Sequence, residues 1–174
     1  MEIVEINVQN LVDINKANQP FEVIGRIRPL FADGDWIYTE ELYTHSYVKS
    51  YPNDDVDYSV YIDNPDKSIF LAYSNGQCVG QIILRKDWNK YAFIEDICVS
   101  QSARGQGIGT ALIQKAAEWA KGAELDGLAL ETQDNNLLAC RFYLKCGFVI
   151  GGVNTMLYKN FQPDEMAIYW YLRF

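Results

Sequence analysis

The run with the most chemistry in it is Val99-Ser100-Gln101-Ser102-Ala103-Arg104-Gly105-Gln106-Gly107-Ile108-Gly109-Thr110. It reads as the end of a strand, a glycine-rich loop and the start of a helix. Glycines let backbone N–H groups approach a phosphate closely, and a helix N-terminus adds partial positive charge. Arg104 adds a full cation, so the segment is an anion cradle. The dinucleotide fingerprint G-x-G-x-x-G needs glycine where Thr110 stands, and the P-loop needs a lysine that is missing. The spacing that fits is [RQ]-x-x-G-x-[GA], through Arg104, Gly107 and Gly109. A ligand-free strand-to-helix turn has the same composition.

Two further groups stand out. Asn136-Leu137-Leu138-Ala139-Cys140-Arg141-Phe142-Tyr143-Leu144-Lys145-Cys146-Gly147-Phe148 reads N-x-x-A-x-x-F-Y-x-x-x-G-F and follows the cradle after one more strand pattern. Upstream, Glu95 and Asp96 interrupt the apolar run from Ile94 to Val99. A carboxylate there is costly unless solvated or used, and strand alternation sends the two to opposite faces. One use is to accept a proton from an amine. An ammonium with a pKa of about 10.4 reaches its neutral form near pH 7.4 at a cost of about 4 kcal/mol, so a base is needed. The other reading is structural pairing with a nearby cation such as Arg85. His45 is the only histidine and no G-x-S-x-G motif accompanies it, which sets aside Ser-His and Cys-His chemistry.

Composition narrows the partners. The chain has 174 residues, 49% apolar and 22% charged, which suits one globular domain. Fifteen basic against twenty-three acidic residues leave a net charge of −8. That balance excludes a basic stripe for nucleic acid. It suits a field that draws in a cationic ligand, and it equally suits plain solubility. Aromatics reach 14%, including twelve tyrosines and four tryptophans that could line a pocket. Cys78, Cys98, Cys140 and Cys146 form no C-x-x-C pair and, with one histidine, no zinc-ligand set. They read as free thiols in a reducing compartment. The acidic start Met1-Glu2-Ile3-Val4-Glu5 lacks a signal-peptide plan, and no apolar run has the length of a membrane span. The expectation is a cytoplasmic protein without membrane contact.

The elements that must position these groups follow from periodicity. Residues 8–17 are predicted as a short helix, ended before Gln19-Pro20. Phe21 to Phe31 and Trp36 to Tyr43 alternate around Asp33-Gly34-Asp35, a β-hairpin. Residues 51–57 form a surface loop. Ser68 to Tyr73 and Cys78 to Leu84 are strands joined at Ser74-Asn75-Gly76, and Tyr91 to Val99 is a third. A helix from Gly107 to Lys121 aligns Ile108, Leu112, Ala116 and Trp119, with Gly122 as its stop. After a strand at Leu128 to Thr132, a second helix runs from Asn136 to Cys146, capped by Asn135 or Asn136 and closed by Gly147. Phe148 to Val153 and Ala167 to Phe174 supply the last strands. The fold class is α/β (mixed), one domain: a meander of strands, then β-α-β-α-β-β.

The paired cradle and Asn136–Phe148 runs resemble the GNAT superfamily of N-acetyltransferases across residues 68 to 155. The resemblance implies a central, mostly antiparallel twisted sheet of about six to seven strands, splayed at the cofactor site and flanked by helices. It implies acetyl-CoA as co-substrate and no metal. Arg104, Gly105, Gln106, Gly107, Ile108, Gly109 and Thr110 would grip its pyrophosphate. Ile97, Cys98 and Val99 would offer backbone groups to the pantetheine arm, which Asn136 would also contact. Tyr143 would protonate the departing thiolate, leaving Phe142 to pack the helix. The run I-E-D-x-x-V is similar to that of polyamine acetyltransferases, which implies Glu95 as base and Asp96 as substrate contact. Glu131 or water remain alternatives for the base. In segments, residues 1–67 form the acceptor side, 68–155 the cofactor core and 156–174 the C-terminal strand of a single domain, 1–174.

A narrower resemblance spans nearly the whole chain. Pro20 to Gly25, Ala92 to Ile97, Leu130 to Asn136, Asn154 to Tyr158 and Trp170 to Phe174 are similar to streptothricin (nourseothricin) acetyltransferases. That family inactivates an antibiotic by acetylating an amine of its β-lysine moiety. It implies a small, polycationic amine substrate, with Glu131 and the acidic residues Asp54, Asp55 and Asp57 as further contacts. Polyamines or aminoglycosides are alternative acceptors. A protein lysine or N-terminal acetyltransferase and a non-catalytic acyl-CoA-binding module are further readings. An exposed C-terminal strand could pair in a homodimer.

Overall fold

Ile69 to Ala72 and Val79 to Leu84 are apolar on both parities, the pattern of strands covered on both faces. In the computed structural model, which describes residues 1–174, both are strands inside a sheet. The strands are β1 (Glu2–Glu5), β2 (Phe21–Ala32), β3 (Asp35–Lys49), β4 (Lys67–Ser74), β5 (Gln77–Lys86), β6 (Tyr91–Val99), β7 (Gly127–Gln133), β8 (Val149–Asn154) and β9 (Ala167–Arg173). The α-helices are α1 (Ile108–Gly122) and α2 (Leu137–Lys145). The chain divides into two units. One holds Met1–Pro20, Ser50–Leu128 and Phe174, the other Phe21–Lys49 and Ala129–Arg173.

In the first unit the strand order is β1-β4-β5-β6, antiparallel throughout, followed by the first residues of β7. Its two faces carry different covers. A Cβ on Gly80 would stand 3.1 Å from Ile108 and 3.2 Å from Leu112, so α1 packs hard against one face. On the other face Ile69, Leu71 and Ile83 join Ile6 and Tyr61, with Leu11, Ile14, Tyr58 and Tyr73 around them. Asn75 and Gly76 both take positive φ, giving the tight β4–β5 turn its mirror-image twist.

The second unit has the order β7-β9-β8, the long β2–β3 hairpin and α2. Asp33 and Gly34 at positive φ close the hairpin. Trp170 is fully buried, its indole N–H donates to Thr132 Oγ1 (3.0 Å), and its ring lies beside Tyr143.

The mixed α/β class with a mostly antiparallel seven-stranded arrangement is as expected, and several details differ. The helix predicted over 8–17 is only a 3-10 turn, Leu11–Asp13. Asn7 Oδ1 accepts from Gln9 and Asn10 backbone N–H groups, and Asn10 Oδ1 accepts from Asn7, so side chains take the bonds a helix would use. β1 was not anticipated, and β3 continues past Tyr43 to Lys49. Gly122 lies inside α1; the left-handed residue that ends the helix is Glu124 (φ +56°). β9 sits between β7 and β8, so the C-terminal strand offers no free edge for a dimer. Both units are discontinuous in sequence.

Gly25 marks a tight backbone approach in the second unit: a Cβ there would stand 2.3 Å from the Glu41 carbonyl oxygen. Gly25→Ala is expected to lower the unfolding free energy by about 1–3 kcal/mol. Denaturant titration checks this, and an unchanged midpoint would show that β2 and β3 do not need the contact.

Candidate functional site

β6 carries the first pair of candidate residues. Its register with β5 pairs Ile83 with Asp96 and Leu84 with Ile94, which leaves Glu95 as an extra residue, a β-bulge. The bulge cancels one step of alternation. Glu95 pairs with Arg85 and Asp96 accepts from Gln81, and both partners lie on the Ile83 face of β5. The expectation of opposite faces is therefore corrected: the two carboxylates share the face turned away from α1.

Their surroundings differ. Glu95 Oε2 accepts from the Tyr61 hydroxyl (2.6 Å), and Oε1 lies 3.2 Å from Arg85 Nε. Arg85 also bonds Asp87 (3.0 Å) and lies over the Phe93 ring. The structural pairing with Arg85 is thus present at Glu95. Burial beside this carboxylate pushes the Tyr61 phenol well above its ordinary range. Asp96 Oδ2 accepts from Gln81 Nε2 (2.7 Å). Gln81, 0% exposed, accepts in turn from the Asn15 N–H (2.7 Å) and donates to Asn15 Oδ1 (3.0 Å). Burial pushes the Asp96 carboxyl above the usual carboxylate range. Gln81 and the Cys98 thiol pull it down, and the charge of Asp54 adds to the rise.

The cradle follows. Ser100 N–H closes the last rung to Val79 O (2.8 Å), and a 3-10 turn, Gln101–Ala103, leads into Gly105 (φ +77°) and Gly107 (φ +84°). Neither would bring a Cβ within 4 Å of another atom, so a left-handed backbone, not crowding, calls for glycine, and the space in front of the loop is open. Ala111 N–H makes the first helical bond, to Gly107 O; the N–H groups of Ile108, Gly109 and Thr110 precede it in the first turn. Arg104 is bonded within the first unit. Its guanidinium donates to Val99 O (2.9 Å), Pro20 O (3.1 Å) and Gln19 O (3.4 Å), fastening the loop to the N-terminal segment. Gln106 donates to Ser102 O (3.0 Å). Ile97, Cys98 and Val99 pair with Ile82, Gln81 and Gly80; burial pushes the Cys98 thiol far up, away from nucleophilic use.

In the second unit, Asn136 caps α2 by accepting from Ala139 N–H (3.3 Å) and pairs with Gly25 across a parallel bridge. Tyr143 is 6% exposed, its ring set against Phe148, Trp170 and Phe142. Phe142 is only half-buried, so the packing role assigned to it falls to the Tyr143 ring. Glu131 accepts from the Tyr158 hydroxyl, and burial raises its carboxyl pKa. Sequence reasoning missed a buried polar group here: Glu165 binds Lys49 (2.6 Å) and Asn135 (3.0 Å), while Asp134 lies 3.6 Å from Arg26. It also missed Tyr61, Asn15 and Gln81, although a glutamine within the apolar β5 run was a visible signal. His45 is exposed, in an irregular stretch of β3.

Residues 36–148 match the Acetyltransferase (GNAT) family. The chain is 49% identical to streptothricin acetyltransferase A of Bacillus subtilis (strain 168), over 99% of both chains. It is 41% identical to a streptothricin acetyltransferase of Escherichia coli, over 75% of each. The solved structure of a Bacillus anthracis str. Ames protein in complex with acetyl coenzyme A superposes with a TM-score of 0.92 at 41% identity, over 99% of both chains.

A carboxyl whose pKa is raised on folding favours the folded state below its unfolded value, and loses that contribution as pH rises through the folded value. Asp96 is such a group. Asp96→Asn, which keeps an acceptor for Gln81, should therefore raise the thermal midpoint near pH 7.5, with the gain shrinking towards about pH 4. Scans at both pH values check this; equal midpoints at the higher pH would remove the strain assigned to Asp96.

Proposed function

The chain belongs to the acetyltransferase (GNAT) family and is an acetyl-CoA-dependent N-acetyltransferase; from that premise we propose that it acetylates a primary amine of the β-lysine moiety of streptothricin and so inactivates the antibiotic. The observation that carries this reading is the end-to-end likeness to a streptothricin acetyltransferase. The net charge of −8 agrees with a polycationic acceptor, because clustered negative charge raises the local concentration of cations.

The residues present fit acetyl-CoA. The open space before Gly105 and Gly107 and the first-turn N–H groups of α1 suit its pyrophosphate. Arg104 keeps the loop in shape from behind, through three carbonyls. Ile97–Val99 backbone groups would hold the pantetheine arm. Bound there, the co-substrate supplies a thioester as acetyl donor. A β6 carboxylate takes the proton of the arriving ammonium, which frees the nitrogen lone pair. The Tyr143 hydroxyl, on a ring fixed by Phe148 and Trp170, gives its proton to the departing sulfur. The acidic residues Asp54, Asp55 and Asp57 would attract the remaining cationic groups. The acidic loop is tied down by Asn18, which donates to Tyr51 O (3.2 Å) and Asn53 Oδ1 (2.7 Å). The four cysteines are free thiols, in keeping with a reducing cytoplasm where acetyl-CoA is made.

Acetyl-CoA turnover across streptothricin, spermidine, kanamycin and a lysine peptide tests the substrate. Turnover is expected with streptothricin, and turnover with the peptide alone would overturn the reading. Tyr143→Phe should lower kcat by about 10²-fold or more with acetyl-CoA affinity retained in calorimetry. An unchanged kcat would remove Tyr143 as the acid.

A further inference from the structure

We infer that Asp96, held in place by Gln81, is the carboxylate that takes the proton from the substrate's ammonium, and that Glu95 is a structural partner of Arg85 and Tyr61. This rests on the acetyltransferase reading and names the base within it. Three observations carry it, all in the first unit.

The bulge places both carboxylates on one face, so both compete for the same role. Glu95 has both oxygens engaged, one by a hydroxyl and one by a guanidinium. An ammonium arriving there would have to compete with a guanidinium already in place. Asp96 has uncharged partners, the Gln81 amide and the Cys98 thiol.

Gln81 is the second observation. An amide fully buried among Val79, Ile82, Ile83 and Leu84 is expensive unless every polar atom is satisfied. It is satisfied in only one orientation. The Asn15 N–H requires Oε1, so Nε2 must face Asn15 Oδ1 and Asp96. The amide therefore cannot flip, and the one charged group it serves is Asp96. This is a preorganised carboxylate, set by a positioning residue that is itself braced.

The third observation is charge. The charge of Asp54, on the acidic loop, acts on Asp96, while Glu95 on β6 shares Arg85 with Asp87, and Asp13 near the N-terminus is taken by Lys16 and Tyr73. Neither Asp96 nor Asp54 has a cation bound to it, so an ammonium meets two carboxylates there without displacing a partner. An ordinary ammonium and an ordinary carboxylate differ by about six orders of magnitude in acidity. Burial narrows that gap at Asp96. In the step, an N–H bond of the ammonium breaks and an O–H bond forms on Asp96. The nitrogen keeps the electron pair that attacks the acetyl carbon, and Asp96 later returns the proton to water.

The test compares kcat against pH for the wild type, Asp96→Asn, Glu95→Gln and Gln81→Met, on whichever amine of the panel the wild type acetylates. Asp96→Asn should lower kcat by about 10²-fold or more, with the deficit shrinking at alkaline pH, where the amine arrives neutral. Glu95→Gln should cost less than about tenfold and keep the acidic limb. Gln81→Met removes a donor to the charged carboxylate and should move that limb to higher pH, with acetyl-CoA affinity intact. Loss of the limb in Glu95→Gln with its retention in Asp96→Asn overturns the inference. Should Asp96→Asn fail to fold, the Gln81→Met profile decides: an unmoved limb is equally fatal. Failure of streptothricin as a substrate, with another amine turned over, removes only the substrate assignment. No turnover on any amine removes both.

Discussion

Between Ile94 and Asp96 the ladder joining β5 to β6 skips one residue, and the acidic side of the first unit is arranged around that skip. Without it, Glu95 and Asp96 would straddle the strand, and one carboxylate would be driven into the apolar face that α1 covers. With it, Ile94 keeps its place in the core, 4% exposed, while both acids emerge on the other face. Each then meets a different partner set on β5: Arg85 for Glu95, Gln81 for Asp96. A single backbone irregularity thus separates a carboxylate bound to a guanidinium from one bound to a buried amide.

The N-terminal segment supports the same arrangement from outside the sheet. Asn15 fixes Gln81, Asn18 ties the acidic loop, and Gln19 accepts from Gln101 N–H (2.7 Å) while its backbone and that of Pro20 hold Arg104. Few of these bonds is strong alone, since a net hydrogen bond is worth about 0.5–1.5 kcal/mol. Together they fix a short irregular stretch that has little secondary structure of its own. The same short segment therefore braces Gln81 behind Asp96 and the glycine loop.

In the second unit, aromatic packing does the equivalent work. The Tyr143 ring is locked by Phe148, Phe142 and Trp170, and Trp170 is anchored through Thr132. Burial of the ring and use of the hydroxyl are compatible, because a tyrosine carries an apolar body with a polar tip. The helix that bears it starts at the Asn136 cap and ends at Gly147 (φ +91°), so its length is set by residues at both ends.

Local signals made much of this readable in advance. The cradle, the hairpin turn at Asp33-Gly34, the limits of β6 and the capped α2 were determined by sequence, because glycine conformations, caps and periodicity act over a few residues. The helix expected over 8–17 did not form, because Asn7 and Asn10 compete locally for the backbone. What tertiary structure alone decided was orientation and pairing. No local rule announces a bulge at Glu95, since it arises from register with β5, and no rule gives Arg85 to Glu95 rather than Asp96, or pairs Gln81 with Asn15 or Arg104 with Pro20. Those choices depend on residues far apart in the chain, and a side chain's chemistry is set by which of them reach it first.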